Sequence, residues 1–246
     1  MFFPIKDYNP TKKLSIVTIV LIALNVLIFV YQSYIGEGGL PRFVNHYSMV
    51  PYEVTHLENV KVLVDRDMFG NPEFQQRELP PLLSIISSMF MHGSIMHLLG
   101  NMLFLWIFGN NIEDYLGKTV FIFFYLLSGV AAAFLHILFN LNSLVPVIGA
   151  SGAVSGVMGA YLILFPKARV KTLVFIFIIV TFIDIPAGIL LALWFIFQFF
   201  YSSSGGIAWL AHVGGFIAGA AMIYCIKKRK PVVEVLPDSE FYTEDE

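Results

Sequence analysis

The apolar positions of this chain fall into long unbroken runs, and several runs match the thickness of a bilayer. A helix crossing a hydrocarbon core needs about 20 mostly apolar residues. Six segments meet that description: 15–34, 92–112, 119–140, 147–165, 185–202 and 206–226. The stretch from Thr172 to Phe200 is too long for one helix and carries Asp184 and Pro186 in its middle. The residue before a proline is pushed out of the helical region, so the fifth span is expected to begin at 185. Residues 172–182 are then an interfacial or short cytoplasmic-side segment. The expected fold class is an all-α membrane protein, a six-transmembrane-helix bundle.

Basic residues orient such a bundle, because loops rich in Lys and Arg stay on the cytoplasmic side. With the N-terminus inside, the inner segments hold Lys6, Lys12, Lys13, Lys118, Lys167, Arg169, Lys171 and the Lys227-Lys228-Arg229-Lys230 cluster, 11 of the 15 basic residues. The outer side keeps Arg42, Lys61, Arg66 and Arg77, all in one long loop, about 35–91. An even number of spans with both termini cytoplasmic satisfies every loop. The chain therefore divides into an N-terminal segment 1–14, a transmembrane domain 15–226 and a cytoplasmic tail 227–246, of which 232–246 is acidic and expected to be disordered. The first run follows Lys12 and Lys13 without a small-x-small cleavage site, so it reads as a retained anchor. Within the loop, Leu82–Met91 is amphipathic and is expected to sit partly in the outer interface.

Composition supports this and removes other classes. The 246 residues are 57% hydrophobic and 13% charged, with mean hydropathy +0.76; a soluble domain is nearer half apolar and a quarter charged. A net charge of −2 gives no basic surface for nucleic acid. The single cysteine, Cys225, excludes an intrachain disulfide and reads as a packing residue. No cofactor is implied. A short N-terminus without a transit peptide points to a prokaryotic plasma membrane as host, with the active site towards the external side.

Polar groups inside spans are costly, so each is a functional candidate. Ser151 lies in the fourth span, His212 in the sixth, His97 and Asn101 in the second, with His92 where the second begins. The topology places them together: all three spans run inward, and Ser151 and His212 fall roughly 6 and 9 Å below the outer end at 1.5 Å per residue. A serine hydroxyl is a weak nucleophile until a base takes its proton, and histidine is the usual base. Small residues flank it in Gly149-Ala150-Ser151-Gly152, leaving room for a substrate backbone. The first turn of a helix offers free N–H groups and the positive end of the dipole to an oxyanion. His97 and Asn101, four apart, share a helical face and can both donate. No carboxylate lies at that depth, since Asp184, Glu113 and Asp114 fall at inner ends, so a Ser–His dyad is expected rather than a triad.

Blander readings exist for each residue. A serine in a Gly/Ala-rich span is usually packing material, and Ser155, one turn on, is read that way. Gly215 and Gly219 form a G-x-x-x-G that reads as close helix contact. Three histidines suggest a metal site, but there is no H-E-x-x-H and no acid at their depth.

These residues resemble the rhomboid family of intramembrane serine proteases. The resemblance rests on Gly149-Ala150-Ser151-Gly152, on Ala211-His212-Val213-Gly214-Gly215 with Gly219, and on His92, His97 and Asn101, and it runs from about Pro81 to Ile226. It implies a six-helix bundle with a water-filled cavity open to the external side. Ser151 would be nucleophile and His212 general base and then acid. The Ser151 amide, His97 and Asn101 would form the oxyanion hole, with His92 supporting it. The implied partners are single-span membrane protein substrates in the lipid bilayer, cleaved where the helix unwinds. Two departures stand out. Ser155 occupies the place where some members stack a tyrosine on the histidine, so other packing must hold His212. Glu113-Asp114-Tyr115 replaces the usual Glu-x-Arg at the inner end of the second span. The rival readings are a non-catalytic relative that binds and escorts membrane proteins, and a transporter or channel. A transporter calls for paired broken helices or midplane charges, and the chain has neither.

Overall fold

The computed structural model describes residues 2–34, 39–66, 72–176, 179–200 and 208–227. Among them the chain is mostly helical. Strand β1 (Phe2–Asp7) precedes helix α1 (Ile16–Tyr34). The long loop holds α2 (Gly39–Tyr47), α3 (Pro51–His56), β2 (Lys61–Arg66), β3 (Pro72–Gln76) and α4 (Pro81–Ser88). The remainder is α5 (Ile95–Leu116), α6 (Lys118–Leu138), α7 (Ser151–Leu164), β4 (Arg169–Ile176), β5 (Ile179–Pro186), α8 (Ala187–Phe200) and α9 (Trp209–Lys227).

Six helices overlie the six expected spans, but they are not equal. Four of them, α1, α5, α6 and α9, are long and apolar enough to cross a membrane; α7 and α8 have 14 residues each. Fourteen residues rise only about 21 Å, against roughly 30 Å of hydrocarbon. The fourth span was expected to begin at 147, and its helix instead begins at Ser151. Pro146 and the positive φ of Gly149 (131°) keep the preceding residues extended. Non-helical backbone at membrane depth is tolerated where protein surrounds it, and α7 is buried along almost its whole length.

The chain is not all-α, which corrects the expected class. Residues 172–176 fall in β4 and 179–182 in β5, and β1 adds to them in an antiparallel sheet of order β1-β4-β5. The β-branched and aromatic residues of this stretch, which satisfy an apolar-run criterion, equally favour strands. A separate antiparallel pair, β2 and β3, lies in the long loop. That loop is folded around a buried ion pair, Arg77 Nη1 to Glu53 Oε2 at 2.8 Å, with Arg77 Nη2 donating to the carbonyls of His46 and Ser48. Residues 228–246, which carry most of the expected tail, and residues 201–207, at the end of the fifth and start of the sixth expected spans, lie outside the described residues.

The helices alternate in direction around a core that includes Leu105, Phe108, Ile112, Phe121, Tyr125, Val157, Tyr161, Leu191 and Ile223. Leu27, Val30, Phe123, Leu127, Ile189 and Ile217 face outward and are exposed, as a lipid-facing belt requires. The closest pair is α7 with α9. A Cβ on Gly215 would collide with the Gly152 carbonyl, and one on Gly219 with that of Gly156, so glycine lets the two backbones touch. At the other end of the bundle Glu113, late in α5, accepts from the amides of Val17 (3.0 Å) and Thr18 (2.7 Å) and from the Thr18 hydroxyl (2.8 Å). A carboxylate on the free N–H groups of a helix start is favourable in charge and in hydrogen bonding. The Glu113-Asp114-Tyr115 departure thus keeps a structural contact at this end, through its first residue.

Candidate active site

Ser151 is the first residue of α7, with Ala150 as its N-cap. The turn before it is fixed from outside: Gly149 N donates to Ser88 O (2.9 Å), and Val147 pairs with Met49 in an antiparallel bridge (2.8 and 3.1 Å). Gly149 is required there for two reasons. Its φ of 131° suits only glycine, and a Cβ would stand 2.8 Å from His97 Nε2. As the first residue of a helix, Ser151 presents its own N–H and those of the next residues without intrahelical acceptors.

His212 lies in the first turn of α9 and reaches Ser151: its Nε2 is 2.8 Å from Ser151 Oγ. Both side chains are half-buried. His97 belongs to the first turn of α5, where Ser94 caps the helix by accepting from the His97 amide at 3.2 Å. Asn101, one turn deeper, is buried, and its Nδ2 has no hydrogen-bond partner among the described residues. Ser151, His212, His97 and Asn101 all line one cavity of about 790 Å³. His92 does not. It is fully buried behind His97, ring centroids 5.0 Å apart at 73°, and its amide faces Gln32 Oε1 at 3.4 Å. Ser155 also lines the cavity, with its hydroxyl tied to the Ser151 carbonyl at 2.6 Å. That back-bond within its own helix fits the packing role expected of it.

Three residues here escaped the sequence reading. Gln198, near the end of α8, is buried and sets its Oε1 2.7 Å from His212 Nδ1. Trp194, one turn earlier, places its ring 6.0 Å from that of His212 at 37° and 6.0 Å from that of Phe216. Both therefore touch His212, for which other packing was expected with a serine at position 155. His136, near the end of α6, lines the cavity as well. Its location at the outer end of the third expected span was a usable signal, as was the single amide of Gln198 in an otherwise apolar run. Among the described residues no group of three or more His, Cys, Asp or Glu is arranged to hold a metal.

The chain matches the Rhomboid domain over residues 80–229, well over half its length. It belongs to the rhomboid family. Rhomboid protein 1, mitochondrial, of Saccharomyces cerevisiae is 33% identical over 156 residues, covering 59% of this chain and 42% of that protein. Presenilin-associated rhomboid-like protein A, mitochondrial, of Danio rerio is 35% identical over 102 residues, 41% of this chain and 26% of its own. RHOMBOID-like protein 6, mitochondrial, of Arabidopsis thaliana is 40% identical over 78 residues, 32% and 25% of the two chains. The chain thus spans less than half of these relatives, and the likeness concerns the shared domain. The mitochondrial names of these relatives overturn the expectation of a prokaryotic plasma membrane.

Proposed function

We propose that this rhomboid-family chain is an intramembrane serine endopeptidase acting on single-span membrane proteins through a Ser151–His212 dyad. The observation that carries the reading is the 2.8 Å contact between Ser151 Oγ and His212 Nε2 on the wall of a cavity set among membrane-type helices. Ser151 Oγ attacks the scissile carbonyl carbon as His212 Nε2 takes the hydroxyl proton. The carbonyl oxygen becomes an oxyanion, met by the Ser151 amide, His97 and the Nδ2 of Asn101. His212 returns the proton to the leaving amine, and a water, activated by the same histidine, hydrolyses the acyl-enzyme. His92 supports His97 from behind. A substrate helix must unwind locally, because a helical peptide bond is shielded from attack. The host, on the relatives' names, is a mitochondrial membrane.

The decisive measurement is labelling of the detergent-purified protein by a fluorophosphonate, beside cleavage of a single-span reporter. The wild type is expected to label and cleave; Ser151→Ala and His212→Ala are expected to do neither while remaining folded. A folded wild type that stays unlabelled sinks the dyad and favours a non-catalytic escort that binds membrane proteins.

A further inference from the structure

Gln198 stands apart from the expected machinery, yet it touches His212 more closely than Ser151 does. Its amide makes two contacts, and the pair is informative. Nε2 lies 3.1 Å from the Trp194 carbonyl, one turn back on α8, while Oε1 lies 2.7 Å from His212 Nδ1. A backbone carbonyl only accepts, so the end of the amide facing Trp194 has to be the NH₂. That leaves Oε1, itself only an acceptor, facing the imidazole. At 2.7 Å two lone pairs repel, so a proton belongs between them, on Nδ1. In a neutral imidazole the other nitrogen, Nε2, is then bare, and its lone pair faces Ser151 Oγ at 2.8 Å. The opposite tautomer would turn an N–H towards the serine and leave nothing to receive its proton.

We infer that Gln198 is a positioning residue: anchored by the Trp194 carbonyl, it holds His212 in the Nδ1–H tautomer that a general base for Ser151 requires. The proposal rests on the dyad reading above. The proton on Nδ1 stays in place throughout the reaction, while the serine proton is taken up and returned at Nε2. As His212 becomes imidazolium, the negative end of the amide dipole already points at it. A neutral amide thus does the orienting that a buried carboxylate does in a Ser-His-Asp triad. This also accounts for the lack of an acid at this depth. The Trp194 ring against His212 restricts the imidazole from a second side.

Two substitutions test it. Gln198→Met keeps the volume and removes the acceptor. Its fluorophosphonate labelling rate and its kcat on a single-span reporter are expected to fall roughly 10- to 100-fold with KM little changed. Gln198→Glu restores an acceptor to Nδ1–H and is expected to recover most of the rate. Spectra of protein labelled with ¹⁵N only at histidine read the tautomer directly. The wild type and Gln198→Glu should hold the proton on Nδ1, and Gln198→Met should lose that bias. Should Gln198→Met fail to fold, the wild-type spectrum still decides: a proton on Nε2 overturns the proposal. Wild-type labelling by a folded Gln198→Met would also overturn it and leave the dyad untouched. An unlabelled wild type would sink the dyad instead, and the spectrum, which needs no activity, would still judge the Gln198 contact.

Discussion

Asn101 lines the cavity with its Nδ2 bound to no protein acceptor among the described residues. An oxyanion formed at Ser151 would accept from this group, an interaction made in the transition state and not before, which is what raises kcat. Asn101→Ala is therefore expected to lower kcat about 100-fold, the order found for removal of one oxyanion donor. KM and thermal stability should stay near wild type. An equal loss in KM, or none in kcat, would place Asn101 in ground-state binding or in packing. At this scale Ser151, His212, His97 and Asn101 stood out because serine, histidine and asparagine are conspicuous among apolar neighbours and because the charge pattern put them at one expected depth. Gln198 met the same criterion and was passed over. It acts on the ring nitrogen that faces away from the serine, and nothing in spacing shows which helix face α8 turns towards α9.

The α7–α9 pair carries both members of the proposed dyad, so its backbone contact is also their spacing. Gly215 is three residues after His212 and presses on the Gly152 carbonyl beside Ser151; Gly219 makes the equivalent contact one turn deeper, on Gly156. A methyl at either position has to push the helices apart. Gly215→Ala and Gly219→Ala are each expected to destabilise by about 1–3 kcal/mol, the usual cost of overpacking. The two should differ in labelling: Gly215→Ala separates the helices next to the dyad and should slow it by an order of magnitude, while Gly219→Ala should slow it less. Thermal unfolding and labelling rates on the same samples check this, and equal slowing would contradict it. The G-x-x-x-G spacing showed this contact in advance. The strands were hidden, because Val, Ile and Phe in a long apolar run satisfy a membrane criterion and a strand criterion alike. Only β1, far away in sequence, shows which one applies. The shortness of α7 was hidden for a related reason, since hydropathy does not register the positive φ at Gly149.

Across the whole molecule, one side chain fastens the three-stranded sheet to the helices at a distance from Ser151. Asp7, the last residue of β1, accepts from Asn111 Nδ2 of α5 and from the Tyr161 hydroxyl of α7, both at 2.7 Å. It is only 7% exposed. Burial raises its carboxyl from 3.8 to about 6, against smaller opposing effects of the Tyr161 and Asn111 hydrogen bonds. The folded state thus holds a proton on Asp7 more tightly than the unfolded chain does. Stability from this group is then fully present below about pH 4, fades as pH rises through 6, and is absent at neutrality. Two pKa units set its size at about 3 kcal/mol at most. Asp7→Asn cannot titrate and keeps an oxygen for Tyr161 and Asn111. The difference in unfolding free energy, wild type minus Asp7→Asn, is expected to rise as pH is lowered from 7 to 4, whatever the other carboxylates contribute. A difference that stays flat, or that falls towards acid, would mean the Asp7 carboxylate is as well solvated in the fold as outside it. Because α7 runs from Tyr161 up to Ser151, the same titration should reach the cavity. Labelling of Ser151 should survive mild heating better at pH 5 than at pH 7, and Asp7→Asn should remove that difference.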